Sequence, residues 1–418
     1  MPFSALGLSP KLSAAAHAAG FVGTTPVQRA AIGAVLDGQD VLAIAPTGSG
    51  KTAAYLLPLL DCLAAGHAMA ARRRVVRALV LVPTRELVVQ VARLAQAWAQ
   101  PLDLRVRALF GGVSVNPQML ALRGGADLVV ATPGRLLDLL ERHALAIDAV
   151  HTLVLDEADR MLDAGFAEEW ARIATQLPPR RQNLFFSATF APGVQALAEG
   201  MLHQPLRITV ESAATTAAAI AHSAIAVDAD MRTRLLRYLL VQYGWDRVLV
   251  FVATKFAAEI VADKLRKGAV AAEPLHGQLS QGKRSQVLAD FQAGRIAVVV
   301  ATDLAARGID IAQMPVVVHY DLPRSADDYT HRSGRTGRAG ASGLALSFVS
   351  ADTQPHWQLI CKRQGLDPAL EVVAGFEPVQ SAEPRLHDPN GTGGIKGKRP
   401  SKKDKLRAAA VAVPDKLT

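Results

Sequence analysis

Cysteine, aromatic side chains and long apolar runs are all scarce in this sequence of 418 residues. The two cysteines, Cys62 and Cys361, lie far apart and form neither a metal-ligand pattern nor a disulfide framework, which is consistent with a reducing cytoplasm. No apolar run is long enough to cross a bilayer, and the N-terminus lacks the basic start and apolar block of a secretory signal. We therefore expect a soluble, cytoplasmic chain with no membrane partner.

Only 5% of the residues are aromatic although half are hydrophobic, which favours helices packed on Val/Leu/Ile strands over an all-β fold. Near-continuous apolar runs alternate with helical stretches, as in parallel sheets buried on both faces. In the first half, the predicted strands are 41–45, 77–82, 104–110, 127–131, 152–156 and 183–188. In the second half, they lie near 222–227, 247–252, 271–274, 296–301, 315–319 and 343–348.

These runs predict two tandem doubly wound α/β domains, 1–206 and 222–366, joined by a linker at 207–221. We predict a basic, disordered tail at 367–418, because its Pro, Gly, Lys and Ser have little to bury. Between Arg385 and Arg407, eight basic residues face two acids, 8 − 2 = +6 of the net charge of +9. Such a segment favours a nucleic-acid partner, and a merely solubilising tail is the alternative.

A glycine-rich loop lies between the first predicted strand and a helix, in the segment Ala45-Pro-Thr-Gly-Ser-Gly-Lys-Thr52. Strand, glycine turn and helix in this order predict a phosphate site formed by backbone N–H groups and the helix N-terminus. Ala45 stands where the strict pattern has glycine. Lys51 would contact the outer phosphates and the Thr52 hydroxyl would ligate Mg²⁺. The candidate nucleotide contacts here are Thr47, Gly48, Ser49, Gly50, Lys51 and Thr52.

Two carboxylates follow the fifth predicted strand in the segment Asp156-Glu-Ala-Asp159. An acid at this strand end, after a phosphate loop, is placed to hold Mg²⁺, and we assign Asp156 to that role. Glu157 would orient and deprotonate a water molecule. Alone, the four residues could be an ordinary capped helix start.

With the phosphate loop, these residues make the sequence resemble DEAD-box ATP-dependent RNA helicases, from Phe3 to Gly340. The resemblance implies two RecA-like domains of the P-loop NTPase class in helicase superfamily 2, with ATP and Mg²⁺ as cofactors and RNA as partner. It implies adenine recognition by Phe3, Phe21 and Gln28, and the Gln28 amide can both donate to and accept from an adenine edge. In the second domain, Gly308 and Asp310 would reach the ATP, Asp310 at the ribose.

Several polar segments that follow strands resemble the family's RNA surface and offer N–H groups, hydroxyls or arginines to a sugar–phosphate backbone. Singly they could be helix caps and turns. The candidate RNA contacts are Pro83, Thr84, Arg85, Gly111, Gly112, Thr132, Pro133, Gly134, Arg135, Gln281, Arg284 and Thr302. Resemblance also implies that hydrolysis is coupled to strand separation through Asp159, Ser187, Thr189 and His331.

Arg335 and Arg338 are three residues apart, so in a helical turn they share a face that suits a γ-phosphate gaining charge. The predicted site is therefore split between two domains, and RNA-stimulated ATP hydrolysis would accompany local, non-processive unwinding of short duplexes or RNP remodelling. The alternatives are a DNA-directed translocase and a non-hydrolytic RNA clamp. EVVAGFEP at 371–378 and the basic tail resemble the bacterial RhlE-type branch. We expect a monomer, with ribosome-assembly or RNA-decay proteins as candidate partners.

Overall fold

Two parallel β-sheets of seven strands each organise the described part of the chain, which confirms the predicted fold class. The computed structural model describes residues 2–46, 48–65, 75–163, 166–190, 192–210, 220–306, 314–337 and 343–381. Within these ranges, no helix combines the length and apolar character needed to cross a membrane.

The first sheet has the strand order β3-β4-β2-β5-β6-β1-β7, and every neighbouring pair is parallel. Its strands are β1 (Val41–Ile44), β2 (Ala78–Leu81), β3 (Val106–Leu109), β4 (Leu128–Ala131), β5 (Thr152–Asp156), β6 (Gln182–Ser187) and β7 (Leu206–Thr209). Successive side chains point to opposite faces, so Val41 and Val80 enter one buried cluster while Leu42 and Leu79 enter another. Both faces are covered by helices, as parallel sheets require.

The helices of the first domain follow its strands, after a 3₁₀ turn at Phe3–Leu6 and two N-terminal helices. They are α1 (Pro10–Ala18), α2 (Pro26–Leu36), α3 (Lys51–Ala65), α4 (Arg85–Ala99), α5 (Asn116–Arg123), α6 (Pro133–Glu141), α7 (Ala158–Asp163), α8 (Phe166–Ala174) and α9 (Pro192–Met201). A second 3₁₀ turn lies at Gln100–Leu102.

The second sheet repeats the first in the order β10-β11-β9-β12-β13-β8-β14. Its strands are β8 (Ile220–Ala226), β9 (Val248–Val252), β10 (Ala272–Leu275), β11 (Val298–Thr302), β12 (Val316–His319), β13 (Gly343–Val349) and β14 (Leu370–Glu371). Its helices are α10 (Arg232–Gln242), α11 (Lys255–Lys267), α12 (Gln281–Gln292), α13 (Asp303–Ala306), α14 (Ala326–Ser333) and α15 (Gln354–Gln364). β8 occupies the position of β1, but the residues after it, Val-Asp-Ala-Asp-Met231, contain no glycine loop.

Two predicted boundaries differ from the structure. The predicted linker 207–221 overlaps β7, which pairs with β1, and its last two residues belong to β8; residues 211–219 lie outside the described part. The predicted tail begins too early, because β14 pairs with β8 and the Phe376 ring lies 5.5 Å from that of Tyr238. Both are short edge strands, and β7 buries one side chain while β14 buries none, too few to show a periodic pattern. Residues 382–418 lie outside the described part.

The order of the first sheet divides its carboxyl edge into two halves. The phosphate loop follows β1, while the D-E-A-D segment begins at the last residue of β5 and Ser187 is the last residue of β6, the strand between them. The segments predicted to contact RNA follow the other adjacent strands, β2, β3 and β4. Ligands of such sheets bind beyond the carboxyl ends of the strands, so the predicted nucleotide contacts and the predicted RNA contacts lie on two neighbouring halves of one edge.

Candidate active site in the interdomain cleft

The loop between β1 and α3 turns on Gly48 and Gly50, whose φ angles are +83° and +93°. These angles lie in the left-handed region that side chains disfavour, which is why glycine suits both positions. The Ser49 N–H donates to the Pro46 carbonyl at 3.2 Å and tightens the turn. The loop thus directs backbone N–H groups and the start of α3 toward one place. Thr47 lies outside the described residues.

Lys51 begins α3 and is 8% exposed. Its ammonium donates to the carbonyl oxygens of Ala45, at 2.5 Å, and Pro46, at 3.3 Å. Burial lowers the pKa of Lys51, and the carboxylates of Asp156 and Glu157 oppose that shift. The cation therefore lies between the phosphate loop and the end of β5, where a nucleotide phosphate would meet both.

Gln28 is buried in the first turn of α2 and is tied directly to the phosphate loop. Its side-chain oxygen accepts from the Thr25 N–H at 2.9 Å, and its Nε2 donates to the Gly50 carbonyl at 3.2 Å. Gln28, the residue predicted to recognise adenine, is thus hydrogen-bonded directly to the phosphate loop. Phe21 packs edge-to-face on Trp98 with ring centroids 5.2 Å apart.

Phe3 is 4% exposed and belongs to the hydrophobic core of the first domain. Phe21 packs against the same cluster. Both rings are therefore held by the core, and their assignment to the nucleotide stays a prediction.

Asp156 is the last residue of β5 and is 2% exposed. One carboxyl oxygen accepts from the Tyr55 hydroxyl at 2.9 Å, and the other accepts from the Glu157 N–H at 2.9 Å. Burial, together with the charge of Glu157, raises the pKa of Asp156 to about 6, although Lys51 opposes this shift. A buried carboxylate whose negative charge has too few positive neighbours suits a divalent cation. Thr52, partly buried in α3, offers its hydroxyl as a second ligand.

Glu157 separates β5 from α7 and adopts a left-handed backbone with φ +55°. Its Oε2 accepts from Arg160 Nη1 at 3.0 Å. Two residues on, Asp159 accepts a hydrogen bond from the Thr189 hydroxyl at 3.1 Å. The Ser187 carbonyl accepts from the Ala45 N–H at 3.1 Å. The end of β6 is thus bonded to the start of the phosphate loop, and Thr189 just after it is bonded to the D-E-A-D segment.

The other half of the edge brings together the predicted RNA segments. Thr84 caps α4 by accepting from the Leu87 N–H at 3.3 Å, and the Arg85 guanidinium lies against Gly112. Arg135 donates to the Val113 carbonyl at 2.8 Å and so supports the loop that contains Gly112. The remaining predicted contacts of this half adjoin these segments: Pro83, Gly111, Thr132, which precedes α6, and Pro133 and Gly134 in its first turn.

In the second domain, α14 is fixed by Arg332, whose Nε and Nη2 donate to the Asp303 carboxylate at 2.5 and 2.7 Å. Its Nη1 donates to the Asp321 carbonyl at 2.7 Å, and its guanidinium lies 5.0 Å from the Phe251 ring centroid. Arg332 is therefore committed to holding α14, and this leaves the flanking residues to face the cleft.

A pocket between the domains is lined by Arg160 from the first domain and by His331, Arg335 and Asp303, among others, from the second. Arg335 is buried and lies just after α14. The structure thus brings two predicted second-domain site residues to the same cleft as the D-E-A-D segment. Three other predicted residues lie outside the described part: Gly308, Asp310 and Arg338.

Comparison with known proteins agrees with this geometry. The family model for the DEAD/DEAH box helicase matches residues 25–197, and that for the helicase conserved C-terminal domain matches residues 231–340. The ATP-dependent RNA helicase RhlB of Pseudomonas putida is 40% identical over 374 residues, covering 88% of this chain and 91% of that protein. The chain belongs to the DEAD-box family.

Other DEAD-box relatives are longer. The ATP-dependent RNA helicase DeaD of Buchnera aphidicola is 40% identical over 350 residues, which are 84% of this chain but only 57% of that protein. A solved structure of S. cerevisiae Dbp5 bound to RNA and ADP BeF3 is 29% identical, with a TM-score of 0.78. That similarity covers 89% of this chain and 95% of the Dbp5 chain, so both DEAD-box domains are included.

An ion pair joins the two domains of this DEAD-box chain. Arg284 Nη2, on α12, lies 2.9 Å from Glu86 Oε1 on α4, with side chains 5% and 7% exposed. Burial lowers the pKa of Arg284, and Glu86 opposes that shift. Arg284 thus contacts the first domain rather than solvent. Gln281 begins the same helix, α12. Thr302 is the last residue of β11 and therefore lies at the carboxyl edge of the second sheet.

Sequence reasoning did not single out Arg160, Glu86, Arg332 or Tyr55. Glu86 and Arg160 lie inside or directly beside segments that it did identify, so their closeness to those motifs could have marked them as candidate site residues. Tyr55 lies one helical turn after Lys51 and therefore shares its face of α3. Nothing in the sequence distinguished Arg332 from its neighbouring arginines.

Replacing Asp156 by asparagine should stabilise the nucleotide-free protein near neutral pH. The pKa of this carboxyl is about 6 when folded, against an ordinary value of 3.8. Between these values the folded state binds more protons, so the free energy of unfolding falls as pH rises through that window. Asp156→Asn should therefore raise the free energy of unfolding by roughly 1–3 kcal/mol at pH 7.5, and this gain should shrink toward about pH 4.

Urea unfolding at several pH values measures this gain. Asp148→Asn, at an exposed position, is the matched control and should change the free energy of unfolding by less than about 0.5 kcal/mol. A less stable Asp156→Asn protein at pH 7.5 would contradict the pKa argument.

Gly112→Ala should damage the predicted nucleic-acid half. Gly112 has a φ of +75°, and a Cβ there would overlap the Arg85 guanidinium. We expect a loss of about 1–2 kcal/mol in unfolding free energy. Because Arg85 must move, RNA affinity should fall roughly three- to tenfold. Gly111→Ala is the control, since its Cβ would meet Arg85 only at 3.9 Å. Urea unfolding and fluorescence anisotropy with labelled RNA would test both, and equal behaviour of the two variants would count against this role for Gly112.

Proposed function

We propose that this chain is an RNA-dependent ATPase that uses cleft closure to separate short RNA duplexes locally, without processive movement. The observation that supports this most directly is the arrangement of the first sheet's carboxyl edge. The predicted nucleotide contacts lie on one half of that edge and the predicted RNA contacts on the other, and both halves face the second domain. Arg335 reaches the nucleotide side of the cleft, and the Arg284–Glu86 pair joins the domains on the other side. Bound RNA and bound ATP would therefore both favour the closed arrangement.

ATP would be held by the phosphate loop, Lys51 and Gln28. In the described residues, no group of three or more His, Cys, Asp or Glu side chains could hold a metal ion. Mg²⁺ usually binds through one or two protein ligands plus substrate phosphates and water, so Asp156 and Thr52 fit its needs. When bound, Mg²⁺ would neutralise charge on the phosphates. Glu157 would accept a proton from the attacking water, and Arg335, with Arg338, would stabilise charge on the γ-phosphate.

RNA would be bound through its backbone, because the predicted contacts are N–H groups, hydroxyls and arginines. Such contacts read no base sequence, and the 2′-OH distinguishes RNA from DNA. Dbp5, with the same two-domain fold, was solved with RNA and ADP BeF3. A DNA translocase and a non-hydrolytic clamp are the two rival functions.

The decisive experiment measures ATP hydrolysis with no nucleic acid, with single-stranded RNA and with DNA of the same sequence, and duplex separation under the same conditions. We expect RNA to stimulate hydrolysis at least about tenfold and DNA to have little effect, because the 2′-OH is missing. Equal stimulation by DNA would favour the translocase. RNA binding without single-turnover hydrolysis would favour the clamp.

We also propose the narrower RhlE-type assignment, a cytoplasmic location and RNA binding by the basic segment 385–407. The segment at 371–378 and the charge of the tail support the branch assignment. Removing residues 382–418 should lower RNA affinity about tenfold at low salt, since electrostatic binding is strongest there. RNA-saturated ATP hydrolysis should change less than twofold, because the described domains stay intact. Unchanged affinity at low salt would reject a role for the tail.

A further inference from the structure

Arg160, directly after the D-E-A-D segment, forms an ion pair with Glu157. The guanidinium Nη1 lies 3.0 Å from Glu157 Oε2, and the two side chains are 4% and 13% exposed. A charge-assisted hydrogen bond at this depth holds its geometry well, because breaking it would leave an uncompensated charge away from water. The contact therefore fixes where the Glu157 carboxylate lies.

The two neighbouring carboxylates have separate partners. Asp156 is bonded to Tyr55 and lies in the field of Lys51, while Glu157 is bonded to Arg160. Adjacent carboxylates repel each other, and each needs its own compensating group to stay in place. The left-handed backbone at Glu157 sets the direction of the chain at this point, and Arg160 sets the direction of the side chain.

Arg160 also lies at the boundary between the domains. It lines the cleft pocket together with His331, Arg335 and Asp303 of the second domain. Closure of a cleft excludes water and strengthens the electrostatic interactions inside it. Closure of the cleft would therefore strengthen the Glu157–Arg160 ion pair.

We propose that Arg160 is a positioning residue for Glu157: it holds Oε2 so that Oε1 is directed to the attacking water. The proposal rests on the proposed function, in which Glu157 Oε1 takes a proton from the water. The water oxygen bonds to the γ-phosphorus, and the bond from that phosphorus to the β–γ bridging oxygen breaks, leaving ADP and phosphate. Arg160 touches no reacting atom in this scheme and acts through Glu157.

The test is single-turnover ATP hydrolysis by the full chain in excess over ATP, at saturating RNA. Arg160→Ala should slow the chemical step about 10- to 100-fold through misplacement of Glu157. ATP affinity, measured with a fluorescent analogue, should stay within about twofold, because the phosphate loop is untouched. Arg160→Lys should recover most of the rate and Arg160→Gln should not, a comparison that also decides the matter if the alanine variant is unstable. Arg142→Ala, which removes an exposed ion pair with Asp138, is the control.

A double-mutant cycle separates this inference from the proposed function. In the Glu157→Gln background, Arg160→Ala should cause less than about threefold further loss, because residues that act as one unit are not additive. Multiplicative losses, or equal rates for the lysine and glutamine variants, would overturn the positioning role. A normal rate for Glu157→Gln itself would instead reject the proposed function. A slow Glu157→Gln protein with a normal Arg160→Ala protein would reject only this inference.

Discussion

Replacement of Glu157 by glutamine should slow RNA-stimulated ATP hydrolysis by about 10²- to 10⁴-fold, the range that a positioned general base contributes. Glutamine keeps the size and one oxygen of the side chain but cannot accept a proton from water. The hydrogen bond from Arg160 to a side-chain oxygen can persist. The loss should therefore appear in kcat rather than in folding.

ATP binding should survive this change, because its contacts come from other residues. The phosphate loop, Lys51 and Gln28 are bonded to one another and not to Glu157. The Glu157→Gln protein should therefore bind ATP and RNA together and stay closed for longer than wild type. Filter binding of labelled RNA with ATP would show this as slower release.

The control is Glu168→Gln, which removes an exposed carboxylate from α8 in the same domain. It should hydrolyse ATP at the wild-type rate. Hydrolysis by Glu157→Gln within about threefold of wild type would remove Glu157 as the base. It would also restore the non-hydrolytic clamp as a serious alternative for this chain.

Local chemistry explains which parts of the site could be predicted from the sequence. Gly48 and Gly50 require a left-handed backbone, and Asp156 ends an apolar run, so both features are visible within a few residues. The apolar runs also predicted every strand except β7 and β14, because most of these strands are buried on both faces of a sheet. The short edge strands β7 and β14 carry too few buried residues to be recognised in this way.

Contacts between distant segments could not be predicted, because spacing in the sequence does not set them. Thr189 reaches Asp159 only because β5 and β6 are neighbours in the sheet. Likewise, the sequence predicted Arg135 as an RNA contact but gave no sign of its hydrogen bond to the Val113 carbonyl. Arg284 was predicted for structure and RNA contact, but the sequence could not show that it pairs with Glu86 on the other domain.

Separating Arg284 from Glu86 should weaken domain closure more than it weakens either domain. The pair is buried, with its charges 2.9 Å apart, and it lies between α12 and α4. Removing one partner of a buried pair typically costs about 3–5 kcal/mol, since the other charge is left without compensation. Here the cost falls on the closed arrangement, because the open cleft exposes both side chains to water.

We therefore expect Arg284→Ala and Glu86→Ala each to lower RNA-stimulated hydrolysis about 100-fold, through a smaller closed population. ATP affinity without RNA should change little. The double alanine variant should be no worse than either single variant, because both remove the same contact. The exchange Glu86→Arg with Arg284→Glu should recover part of the loss, although Arg85 beside the first position would repel the introduced arginine.

Lys283 offers a matched control beside Arg284. Its ammonium pairs with Glu273 at 3.0 Å within the second domain, and both side chains are partly exposed. Lys283→Ala should cost little, because exposed pairs contribute about 0–1 kcal/mol. If Lys283→Ala and Arg284→Ala lower hydrolysis equally, the effect is general charge loss near RNA. If only Arg284→Ala does, and Glu86→Ala matches it, then an interdomain contact carries the coupling between RNA and ATP.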